Sequence, residues 1–222
     1  MSDPIDDLQD VYARGGLDSL EAFEERVEDL LELNTRETLP EQLWMCPGPE
    51  DGEPELEPKP EEFDPVDGEK HLRIKPVGGM WTSSFTPDDE YDSDWIRWCS
   101  HEGFLSGRHA WRLVPENDLR IIEVDGMEDL WAVVQRFRDD SYGPEYPSGI
   151  QDHALDFRFM AEEFDAMRLT AEGQKKTRLT GSKEPDLYGW DSECTLWLRW
   201  PFEEVEYHGY YDNELPDWRT PE

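Results

Sequence analysis

The residues best suited to chemistry in this 222-residue chain fall in two runs. The first is KHLRIKPVGGMWTSSF, starting at Lys70, followed after an acidic loop by SDWIRWC; the second is WDSECTLWLRW, starting at Trp190. In the first, His71 and Arg73 alternate with Leu72 and Ile74, a Gly-Gly turn follows, and the next strand carries Trp81 and ends in Thr82, Ser83 and Ser84. In the second, Asp191, Ser192 and Glu193 open a strongly apolar strand. Hydroxyls can hold a carboxylate, a cation can hold an anionic group, and an indole can stack on a planar ring. Each residue also has a structural reading. His71 and Arg73 fit the outer side of a half-buried strand, Thr82-Ser83-Ser84 before Pro87 fits a turn, and Glu193 fits a strand edge facing solvent in a chain with 55 acids. Cys99, His101 and His109 suggest zinc but lack a fourth ligand at suitable spacing. The basic cluster Gln174-Lys175-Lys176-Thr177-Arg178 reads as a loop, with a nucleic acid, an acidic protein or a phosphate as the functional alternative. GxGxxG, Walker A, HExxH and GxSxG motifs do not occur, which removes the sequence basis for common nucleotide-binding, zinc-protease and hydrolase readings.

The run G-x-W-T-S-S … W-x-x-W-C resembles the G-x-Y-x-T-S … A-x-x-Y-A pattern of mono-ADP-ribosyltransferases, and the resemblance extends over most of residues 67–205. Asp191-Ser192-Glu193 is similar to the acidic doublet of that family's Arg-Ser-Glu subgroup, with Asp in place of the first member. The resemblance implies NAD as substrate and transfer of ADP-ribose to a protein or nucleic acid. It implies Glu193 as the catalytic carboxylate, bonding the ribose 2′-hydroxyl and stabilising the cation that forms when the nicotinamide bond breaks. It further implies His71 or Arg73 on ribose or pyrophosphate, Trp81 against nicotinamide, and Thr82, Ser83 and Ser84 bracing the glutamate or the carboxamide, with Asp191 nearby.

The elements that must position these residues mix irregularly. Strands are expected at His71–Lys75, Met80–Ser83, Arg120–Val124, Ala166–Thr170 and Cys194–Trp200, with VEYHGYY as a last strand; helices are expected at Asp94–Cys99, Met127–Arg138 and Asp156–Glu163. That mixture favours α+β, and the resemblance makes it split mixed and antiparallel sheets around a cleft. Residues 1–36 read as a helical hairpin, 37–66 as an acidic Pro-rich linker with Leu43, Trp44 and Met45 as a local anchor, and 67–222 as the α+β domain. VYARGGLDSLEAFEERVEDLL is similar to the helical hairpin of the short C-terminal domain family, which implies a protein-docking role for residues 5–31. The alternative is that its apolar stripe packs on its own chain.

The net charge of −34 is divided evenly between residues 1–66 and 67–222, and excludes general binding to nucleic-acid phosphates. With 15 Arg to only 6 Lys, the composition resembles that of haloarchaeal proteins or those of their viruses, whose carboxylate surfaces are screened by concentrated salt. A non-catalytic interaction or virion-associated protein, and a DNA-mimic inhibitor, are the competing function classes. No stretch reads as a membrane span or signal peptide, so the expectation is a cytoplasmic or virion-associated protein with no membrane partner. The three separated cysteines read as reduced thiols, with no disulfide framework and no metal site.

Overall fold

The structure is a computed structural model and describes residues 20–48, 54, 56–67, 70–72, 74–104, 108–139, 154–178, 185–212 and 217–219. The chain runs α1 (Leu20–Leu33), β1 (Thr35–Arg36), β2 (Gln42–Pro47), β3 (Lys70–Leu72), β4 (Lys75–Pro76), β5 (Met80–Ser84), α2 (Asp94–Glu102), β6 (Arg108–Pro115), β7 (Ile121–Val124), α3 (Met127–Phe137), α4 (Phe157–Glu163), β8 (Ala166–Leu169), α5 (Ala171–Thr177), β9 (Cys194–Trp197), β10 (Phe202–Asp212) and β11 (Asp217–Arg219). Nine strands form one mixed sheet in the order β1-β7-β8-β9-β5-β2-β6-β10-β11, while β3 and β4 form a separate hairpin. Among the described pairs only β7 and β8 run parallel, joined by the stretch that contains α3 and α4. The α+β class is as expected.

Alternation along the strands covers both faces of the left half of the sheet. Ile122, Val124, Met167, Leu169 and Leu196 pack under Leu130, Val134 and Phe137 of α3, whereas Ile121, Ala166 and Trp197 turn to the opposite core with Trp111 and Phe202. A third cluster, Leu43, Ile96, Cys99, Ala110 and Tyr211, seats α2 on the right half. Ser93 caps α2 by accepting the Ile96 N–H, and Gly103 ends it in the left-handed region at φ 73°.

Two expectations about domains are corrected. Residues 1–19 of the expected hairpin lie outside the described residues, but Val27 and Leu31 of α1 are buried in the core shared with α3, and β1 pairs with β7 at Ile121 and Ile122. The described part of the stripe is covered by its own chain at Val27 and Leu31. The expected linker contains β2, which lies between β5 and β6 near the middle of the sheet, with Leu43 and Cys46 buried. Proline flanks this strand without entering its ladders until Pro47 at its end, which is how a Pro-rich stretch can hold a central strand. Residues 56–66 of the same stretch then pass over the sheet as a strap. Phe63 meets Trp200 edge-on, and Gly78, at φ 78°, leaves no room for a side chain beside the Pro65 carbonyl. No helix among the described residues is long and apolar enough to cross a membrane.

Candidate functional site

β5 changes partner in mid-strand. Met80, Trp81 and Thr82 pair with β9, then Ser83 and Ser84 pair with β2. The strands flanking β5 therefore part from it at opposite ends, and each parting leaves a space.

Beyond the end of the β5–β9 ladder the space is filled by Glu193. Its Oε2 accepts from the Ser83 hydroxyl and the Ser84 backbone N–H, both at 2.9 Å, and its Oε1 accepts from the Ser84 hydroxyl at 2.7 Å. Arg168 on β8 adds its Nε–H at 3.3 Å and bonds Glu123 on β7 at 2.8 Å, and Glu123 in turn meets Arg36 at 3.1 Å. Charges alternate along this row, so a carboxylate that is only 6% exposed is compensated by a cation and three further donors. Asp94, in the first turn of α2, feels the same carboxylate. Burial first, and then the nearby Glu193 charge, hold its pKa above the ordinary 3.8, against the opposing pull of Arg97.

On the other side of β5, a cleft of about 440 Å³ opens where Trp44 and Met45 of β2 part from Trp81 and Thr82. Its volume lies in the range of about 300–1,000 Å³ usual for small-molecule sites. The strap, α2 and the approach to β9 close it with Phe63, Trp95, Trp190 and Asp191. Trp81 stands edge-on to Trp190 with centroids 4.6 Å apart, and the Trp190 indole N–H is fixed on the Ile74 carbonyl at 2.9 Å. Trp95 is half-buried, lines the cleft and stacks on Trp98.

The expected site residues are thus divided. Ser83, Ser84 and Glu193 meet. Thr82 lies beside them, but its hydroxyl accepts from the Trp197 indole and donates to Gln42, both at 2.8 Å, so it braces the sheet and not the glutamate. Trp81 and Asp191 line the cleft; Asp191 is held by Arg178 at 2.9 Å. Glu193, Ser83 and Ser84 do not line it, although Ser192 and Cys194 on either side of Glu193 do. His71 is in β3, its side chain outside the description, and Arg73 lies outside the described residues. The basic cluster forms the end of α5, with Lys175 and Lys176 on Glu172 and Arg178 on Asp191.

Compared with protein-family models, curated proteins and solved structures, the chain matches none. Among the described residues no cluster of His, Cys, Asp and Glu could hold a metal ion. Burial pushes the Cys99 thiol up to about 12 and Cys194 well above the usual thiol range, so both stay protonated at neutral pH and are poor nucleophiles. Arg168 was not foreseen. A single cation inside the apolar strand AMRL was the available signal.

Proposed function

We propose that this chain is an NAD-dependent ADP-ribosyltransferase-like protein, with NAD bound in the aromatic cleft that Ser192 and Cys194, the neighbours of Glu193, help to line. The observation that carries the reading is that the two serines closing β5 both donate to the carboxylate opening β9, the arrangement the sequence resemblance implies. The change of partner at β5 opens the cleft within one continuous nine-stranded sheet, where the resemblance implies two separate sheets. In the reaction the C1′–nitrogen bond breaks, its electron pair leaves with nicotinamide, and an acceptor nucleophile or water gives a pair to C1′ and loses a proton. A carboxylate beside the ribose lowers the energy of the cationic transition state. Arg168, the most distant of the four donors at 3.3 Å, keeps a cation beside the carboxylate. The test is nicotinamide release from millimolar NAD by the wild-type protein in high salt. Release above the uncatalysed rate supports the reading; the absence of both binding and release at that concentration contradicts it.

A second reading has its own observation. Four donors on a carboxylate 6% exposed also make a clasp between β5, β8 and β9, and a chain that uses Glu193 only in this way is a non-catalytic binding protein.

A further inference from the structure

Most described cations lie within 4 Å of a carboxylate; among the described residues Arg26, Lys75, Arg108 and Arg120 have no such partner, and of these Lys75 and Arg108 line the cleft. Of the lysines with described side chains, Lys59, Lys175 and Lys176 each lie within 4 Å of a carboxylate. Lys75 does not: among the described residues its ammonium has no acid within that range, and it sits 5.4 Å from the centroid of the Trp81 ring. Arg108 is similar, its Nε–H spent on the Phe104 carbonyl at 3.0 Å and its guanidinium forming no ion pair among the described residues. Both side chains are half-buried, and both line the cleft walled by Trp81, Trp95 and Trp190.

Two of the cleft's acids are already matched, Asp191 by Arg178 and Glu57 by Lys59, while Glu62 and Asp64 are exposed on the strap. The cleft therefore offers flat apolar walls together with two positive groups whose charge no neighbouring carboxylate takes up. A planar heteroaromatic ring against indole, joined to a phosphate that reaches both cations, satisfies the two features at once. A neutral ligand would leave the cations uncompensated, and an inorganic anion would leave the walls unused.

We infer that Lys75 and Arg108 are the phosphate-holding residues of a nucleotide site in this cleft, the role that the resemblance implies for His71 or Arg73. The inference rests on the reading above in taking the cleft as the donor site, but not on turnover at Glu193. Arg108 lies outside the runs that suggested the family, and Lys75 lies in the first run but outside its G-x-W-T-S-S motif.

The probes are ADP and adenosine, titrated by calorimetry and by tryptophan quenching at the lowest KCl concentration at which the full chain is folded. The expected result is that ADP binds at least 10-fold more tightly than adenosine, and that Lys75→Met and Arg108→Gln each weaken ADP about 10-fold with adenosine unchanged, the effect of losing one charge-assisted bond. Unchanged melting of both variants shows that the loss is local. Equal binding of ADP and adenosine, ADP affinity indifferent to both substitutions, or no ADP binding at millimolar concentration overturns the inference. ADP held through Lys75 and Arg108 without nicotinamide release would sink the transferase reading and leave this one standing. Nicotinamide release without preference for ADP over adenosine would do the reverse.

Discussion

At the scale of residues, the contact between Glu193 and the two serines was legible because only hydroxyls close β5 and an acid opens the one strongly apolar strand near the end of the chain. Thr82 could not be separated from Ser83 and Ser84 in the same way. Its hydroxyl is drawn off by Gln42 and Trp197, two residues about 40 and 115 positions away whose approach depends on the whole sheet. Arg168 and Lys75 were missed for the same reason: what distinguishes them is the presence or absence of a distant carboxylate. Asp94 yields a prediction from its raised pKa. The folded state binds its proton more tightly than the unfolded state, so this group's contribution makes stability fall as pH rises from about 3.8 to the raised folded value. Asp94→Asn removes that contribution, and melting curves between pH 3.5 and about 6 should show a smaller decline relative to wild type. An unchanged pH profile would mean that Asp94 titrates as it does in the unfolded chain.

At the scale of elements, the sharpest expectation concerns β2. A fragment beginning at Asp67 lacks α1, β1 and β2, and so loses the strand between β5 and β6, along with the buried side chains of Val27, Leu31, Leu43 and Cys46. Each of the three aliphatic side chains, Val27, Leu31 and Leu43, contributes roughly 1.5–3 kcal/mol of burial, so together they are a large share of the whole stability of about 5–15 kcal/mol typical of a domain. The fragment should show neither cooperative melting nor the blue-shifted tryptophan emission of the full chain; a sharp transition in the fragment would restore the independent domain. The elements read correctly in advance, β5, β7, β8, β9, β10, α2, α3 and α4, carry their own apolar pattern. β2 was hidden by its Pro and Glu neighbours, and β6 by the polar His109 and Arg112 within it. α5 was hidden by Gly173, a weak helix former required because a Cβ there would lie 2.1 Å from the Val124 carbonyl oxygen.

At the scale of the whole molecule, a net charge of −34 must be accommodated by every state of the chain, and the compact state concentrates it. Most described cations are already spent on local pairs, such as Arg97 with Asp89 and Asp94, leaving the remaining acids to solvent and counterions. Unfolding midpoints should therefore climb between roughly 0.1 and 2 M KCl, over which the Debye length falls from about 10 Å to below 3 Å. A midpoint indifferent to salt would remove the halophilic account of the composition. All ligand measurements belong at a salt concentration where the fold is complete. The most direct measurement compares wild type with Glu193→Gln for NAD binding, nicotinamide release and melting together. If the carboxylate acts on the ribose, release falls by about 10²-fold or more while NAD affinity hardly moves, and the melting temperature falls under either account because Arg168 loses a buried partner. If nicotinamide release is unchanged while the melting temperature drops by several degrees, Glu193 is a clasp and the catalytic account is contradicted.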